Sequence, residues 1–75
     1  MFRFRLRDLR EDHDLLQEDL AKALNVSRST ITGYESGYRE PDIQMLIDIA
    51  DYFNVSVDYL VGRTNNSVPF TTGNK

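Results

Sequence analysis

Cysteine is absent from the 75 residues, so neither a disulfide framework nor a thiolate metal site holds this chain together. No apolar run approaches the roughly 18 residues that a membrane-crossing helix needs. The basic start, with Arg3, Arg5 and Arg7, is not followed by the long apolar stretch of a secretory signal. There is a single histidine, His13, and neither a glycine-rich phosphate loop nor a closely spaced set of metal ligands. The carboxylates are scattered. These gaps argue against an enzyme, and no cofactor, metal or small-molecule substrate is expected. His13 reads as a solvent-facing turn residue. The missing cysteines suit a reducing compartment, and the expected location is the cytoplasm.

A chain this short buries a limited fraction of its surface, so its stability must come from packed apolar side chains, assisted by self-association. The formal net charge is −3, but the charge is unevenly spread. Residues 1–10 carry +3, residues 11–39 carry −3, and residues 63–75 carry +2. Residues 40–62 hold five acids and no Lys or Arg. The acidity is therefore concentrated in the second half, which leaves the first half free to face an anion.

The apolar spacing predicts five short helices. Phe2, Leu6 and Leu9 recur at helical intervals until Asp12-His13-Asp14 interrupts them. Phe2 to Arg5 also alternates as a strand would, but Leu6 and Leu9 continue the helical spacing better. A second helix is expected from Gln17 to Leu24, with Leu20, Ala21 and Leu24 on one face and Asn25 closing it. Ser27 reads as the cap of a third helix from Arg28 to about Ser36, which Gly37 ends. Pro41 and Asp42 open a fourth, whose stripe is Ile43, Leu46, Ile47, Ala50 and Phe53. Ser56 caps a short fifth carrying Val57, Leu60 and Val61, and Gly62 stops it. No strand is expected. Residues 1–62 form one all-α domain, and residues 63–75, polar and rich in breakers, read as a flexible tail.

Two short helices joined by a tight turn bury little alone, so they must pack on flanking helices, and the second then stands prominent. Ala21 is small enough to let the third helix cross close to the second, and Val26 and Ile31 fill the angle between them. The run from Gln17 to Gly37, with Arg39-Glu40-Pro41 and Val55 to Gly62 beyond it, resembles the phage Cro- and repressor-like helix-turn-helix family, also called the XRE family. The resemblance covers residues 2–62. It implies a five-helix domain that binds double-stranded DNA through its third helix in the major groove, acting as a transcriptional regulator and specifically a repressor. Carried over by position, it implies base contacts from Arg28, Ser29, Thr32 and Gly33. It implies backbone contacts from Gln17, Ser27, Tyr38 and Arg39, and a structural pairing of Arg10 with Glu35. Arginine suits the role because it donates two parallel bonds to guanine O6 and N7.

The chain departs from the family pattern at three places. Asp14 stands where the family often has Gly, Leu16 where it often has a polar cap, and Gly33 where it usually has a side chain. Gly33 implies either a close approach of backbone to DNA or fewer bases read. A palindromic operator and a homodimer are expected, since one helix reads only a few base pairs. Tyr59, Val61 and the tail residue Phe70 are the candidate dimer contacts. The competing expectation is a protein-interaction module on the same fold, such as an antitoxin or adaptor, for which the acidic second half suits a basic partner.

Overall fold

Side-chain caps set where three of the helices begin. The computed structural model describes residues 4–68, and among them lie α1 (Leu6–Asp12), α2 (Gln17–Leu24), α3 (Arg28–Ser36), α4 (Ile43–Phe53) and α5 (Val57–Leu60). Ser27 Oγ accepts the Thr30 N–H at 3.2 Å, Asp42 Oδ1 accepts that of Met45 at 2.8 Å, and Ser56 Oγ accepts that of Tyr59 at 3.0 Å. Each bond satisfies a donor that a helix leaves without an internal partner. The helices end as locally. Asn25, Gly37 and Asn54 close α2, α3 and α4 in the left-handed conformation, at φ 60°, 83° and 56°.

Two of the family departures leave structural traces. A leucine side chain accepts nothing, so Leu16 caps nothing in α2. Only the reciprocal bond forms, from the Leu16 N–H to Asp19 Oδ2 at 3.0 Å. Asp14 holds φ 56°, a left-handed angle. That angle costs a non-glycine residue about 1–2 kcal/mol, partly offset by the extra unfolded-state freedom that glycine brings. Asp14→Gly is therefore expected to stabilise the fold by about 0.5–1 kcal/mol and raise the melting temperature by several degrees. An unchanged or lower melting temperature would show that the aspartate side chain itself supports the turn.

Every helix contributes to one core: Leu6 and Leu9 from α1, Leu20 and Ala21 from α2, Ile31 from α3, Ile49, Ala50 and Phe53 from α4, and Leu60 from α5. The face that α4 buries keeps Leu46, Ala50 and Phe53 of the expected stripe but is turned away from Ile43 and Ile47. Ile49, Ala50 and Phe53 are inside, with Met45 and Leu46 beside them, whereas Ile43 is 75% and Ile47 40% exposed. α4 carries two overlapping apolar rows, and the core takes the one centred on Ile49. Tyr34 is half-buried at the core edge, with Phe4 edge-on to it at 6.5 Å between ring centres.

The start of the chain also differs from expectation. Phe2 lies outside the described residues, and Phe4 and Arg5 precede α1 rather than belonging to it. Their backbone is used in a tertiary bond instead: the Arg5 N–H donates to Leu60 O at 2.8 Å. The Arg5 side chain completes a clasp. Its Nε donates to Tyr59 O at 2.8 Å, its Nη2 to Thr64 O and Asn65 Oδ1, and its guanidinium lies 4.4 Å from the Tyr59 ring centre. The described part of the expected tail is thus tied to the domain, and the Ser56 N–H donates to Ser67 O as well. No strand is present among the described residues, and no helix among them is long and apolar enough to cross a membrane.

Candidate nucleic-acid interface

The turn between α2 and α3 is short because Asn25 reverses the chain and Val26 returns its N–H to Ala21 O at 2.9 Å. Ala21, 4% exposed, offers no bulk to hold the helices apart, and Ile31 is fully buried behind it. With Ile31 inward, the opposite side of α3 faces solvent. Arg28, Ser29 and Thr32 are exposed there. Together with Gly33, Ser36 and Tyr38 they line an open groove of about 570 Å³. Arg28, Ser29 and Thr32, three of the four residues expected to contact bases, therefore lie exposed on one surface, with Gly33 buried at its floor. Tyr38, 88% exposed on the following loop, stands at its edge. Ser36, one helical turn beyond Thr32, was legible only as part of the i, i+4 row.

Arg39 explains Gly33. A β-carbon at Gly33 would lie 2.8 Å from both Cγ and Cδ of Arg39, and the Arg39 N–H donates to Gly33 O at 3.0 Å. Gly33 is buried. The expected choice between close DNA approach and fewer bases read thus acquires a third cause: glycine here admits the Arg39 stem. Laid across it, Arg39 brings Nη1 within 3.4 Å of Thr30 Oγ1. Its partner is this hydroxyl, while the Asp42 carboxylate is engaged in capping α4. Ser27 Oγ sits 2.9 Å from Thr30 Oγ1 and 3.0 Å from Ser29 Oγ, so three hydroxyls and a guanidinium gather at the start of α3. Thr30 closes the run Ser27 to Thr30 whose N-terminal ends the sequence points toward DNA, and its hydroxyl is where the Ser27 cap and Arg39 meet.

The two helix starts differ electrostatically. α2 carries Glu18 and Asp19 in its first turn, which already complement its positive end, whereas α3 has no acid there. An incoming anion is therefore better received by α3.

Behind α3 lies a nearly enclosed ion pair. Arg10 Nε and Nη2 donate to Glu35 Oε2 and Oε1 at 2.6 and 3.1 Å, and Arg10 Nη1 donates to Leu15 O at 2.7 Å. The side chains are 12% and 6% exposed. The hydrogen bond to Glu35 raises the Arg10 pKa above its ordinary value, against the burial that opposes it. Gln17, at the start of α2, turns toward this pair: its Nε2 donates to Glu35 Oε1 at 3.1 Å. Its Oε1 accepts the Thr32 hydroxyl at 3.1 Å. His13 is exposed as expected, yet it is not merely solvated. Its Nδ1 lies 2.9 Å from Leu9 O, and its ring stands edge-on to Phe53 at 5.0 Å. Among the described residues no group of His and acidic side chains is placed to hold a metal.

Comparison with known proteins points the same way. A family profile described as helix-turn-helix matches residues 6–60. The chain is 38% identical over 69 residues to YobD, an uncharacterized HTH-type transcriptional regulator of Bacillus subtilis, covering 92% of this chain and 62% of that protein. It is 31% identical over 68 residues to the cryptic phage CTXphi transcriptional repressor RstR of Vibrio cholerae, covering 91% and 61%. A crystal structure of a transcriptional regulator from Listeria innocua superposes with a TM-score of 0.74 at 37% identity, covering 93% of this chain and 61% of that one. The chain thus spans about three fifths of the length of each of these relatives.

Proposed function

The chain belongs to the helix-turn-helix family whose profile spans residues 6–60, and from that premise we propose that it binds double-stranded DNA sequence-specifically and regulates transcription. α3 lies in the major groove, with Arg28, Ser29 and Thr32 at base edges and Gly33 at the floor of the contact. Gln17, Ser27, Tyr38 and Arg39 hold the sugar-phosphate backbone. The observation that carries this reading is the outer face of α3, where Arg28, Ser29 and Thr32 are exposed on one side and Arg39 is laid over the helix start. Phosphate contacts fix register, and base-edge contacts supply sequence preference.

The finer reading is a cytoplasmic repressor working as a homodimer on a palindromic operator. Kinship with the Vibrio phage repressor supports repression. Dimerisation is supported by the small reach of one helix, since two half-sites about one DNA turn apart extend it. Tyr59 and Val61, both half-buried, remain the proposed contact, whereas Phe70 lies outside the described residues.

Fluorescence anisotropy against a labelled duplex tests the proposal. Affinity is expected to fall steeply with salt, the logarithmic slope changing by about 0.9 for each phosphate neutralised. No binding to any duplex at low salt would instead favour a protein-interaction module.

A further inference from the structure

We propose that Thr32 meets its base as a hydrogen-bond acceptor only, and that Glu35, acting through Gln17, sets this polarity. The inference rests on the DNA-binding reading above and adds which base edges Thr32 accepts.

The argument starts at the ion pair. The Glu35 carboxylate, paired with Arg10, has oxygens that accept and no proton to give. The end of the Gln17 amide that faces Glu35 Oε1 must then be the NH₂ group. That orientation leaves the Gln17 carbonyl facing α3, where it meets the Thr32 hydroxyl at 3.1 Å. A carbonyl only accepts, so the hydroxyl must donate. The other partner of this hydroxyl among the described residues, Arg28 O, also at 3.1 Å, is again an acceptor. Thr32 has one hydroxyl proton, and both partners draw it inward. Only lone pairs are left on the exposed side, in the groove shared with Arg28 and Ser29.

A free threonine hydroxyl bonds to either kind of base edge. This one does not. In the major groove cytosine N4 and adenine N6 donate, whereas thymine O4 and guanine O6 and N7 accept. Thr32 therefore favours cytosine or adenine and sets oxygen against oxygen at thymine or guanine. Gln17 and Glu35 are positioning residues for this selection. Four side chains on three helices, Arg10, Glu35, Gln17 and Thr32, carry a fixed direction of hydrogen bonding from the interior to the surface.

The test compares the wild type, Thr32→Val and Gln17→Met on duplexes selected from a randomised pool. Thr32 is exposed and valine keeps its shape, so that variant retains the fold. The wild type is expected to prefer cytosine or adenine at one position per half-site, and Thr32→Val to lose that preference alone. Replacing the preferred base by an analogue lacking only the exocyclic amino group should weaken wild-type binding roughly 2- to 10-fold and leave Thr32→Val indifferent. Gln17→Met removes one of the two carbonyls that hold the proton inward, so the ratio between donor and acceptor bases should shrink. A general loss of affinity from the backbone contact cancels in that ratio. A wild-type preference for guanine or thymine at the Thr32-dependent position would overturn the proposal while leaving DNA binding intact. So would an equal loss on the analogue in both proteins, full discrimination in Gln17→Met, or no position altered by Thr32→Val. Absence of binding to every duplex at low salt would instead remove the DNA-binding reading and this inference with it.

Discussion

Glu35→Ala is expected to lower the melting temperature by roughly 15–30 °C. Removing one member of a buried ion pair costs about 3–5 kcal/mol, because the other charge stays behind without its partner. Here the abandoned group is the Arg10 guanidinium, whose side chain is 12% exposed. A chain of this size has a total stability on the order of 4–11 kcal/mol, so the variant sits near the edge of folding. Thermal denaturation followed by circular dichroism measures the effect. Replacing both partners by leucine should recover most of the loss, since apolar substitutes for a buried pair are close to neutral. The recovery stays incomplete because Leu15 O would lose the Arg10 Nη1 donor it now has at 2.7 Å. A Glu35→Ala melting curve that overlays the wild type would show that solvent reaches the pair and that it does not hold α3 against α1.

Reversing the charge at Arg28 and Arg39 together should weaken binding to the selected duplex about 100-fold or more, with the fold unchanged. Both side chains are exposed, so neither is needed for the core. Arg28 would forfeit the proposed base contact, worth about 1–3 kcal/mol of discrimination, and Arg39 the proposed phosphate contact and the counterion it releases. Each new carboxylate also faces the phosphates. The single variants separate the roles: Arg39→Gln should lower affinity for all sequences alike and flatten the salt slope by about 0.9. Arg28→Gln should change which sequence is preferred. Anisotropy titrations at several salt concentrations distinguish these patterns. Wild-type affinity in the double variant would remove α3 from the interface.

The helix boundaries of α2 to α5 were legible because each start or stop is a local matter. Ser27, Asp42 and Ser56 cap the starts of α3, α4 and α5, and Asn25, Gly37 and Asn54 turn the chain at the ends of α2, α3 and α4. The start of α1 was not legible, because Phe4 and Arg5 are held by Tyr34 and Leu60, partners far along the chain. Of the expected α4 stripe, Leu46, Ala50 and Phe53 do face the core, but the choice of Ile49 over Ile43 and Ile47 was not legible, because the two rows have the same period. Only the neighbouring helices choose between them. At the interface, the outward placement of Arg28, Ser29 and Thr32 follows from the helical spacing around Ile31. The reason for Gly33 needed the course of the next loop, and the bond from Thr32 to Gln17 joins residues 15 apart on different helices. Such a bond leaves no periodic trace.

The Arg5 clasp carries a consequence for synthesis. Its hydrogen bonds join positions 54 to 60 apart. During synthesis Arg5 is made long before its partners Thr64 and Asn65. The clasp is therefore a late step of folding: the first described residues stay unanchored until the last part of the described chain is available to hold them.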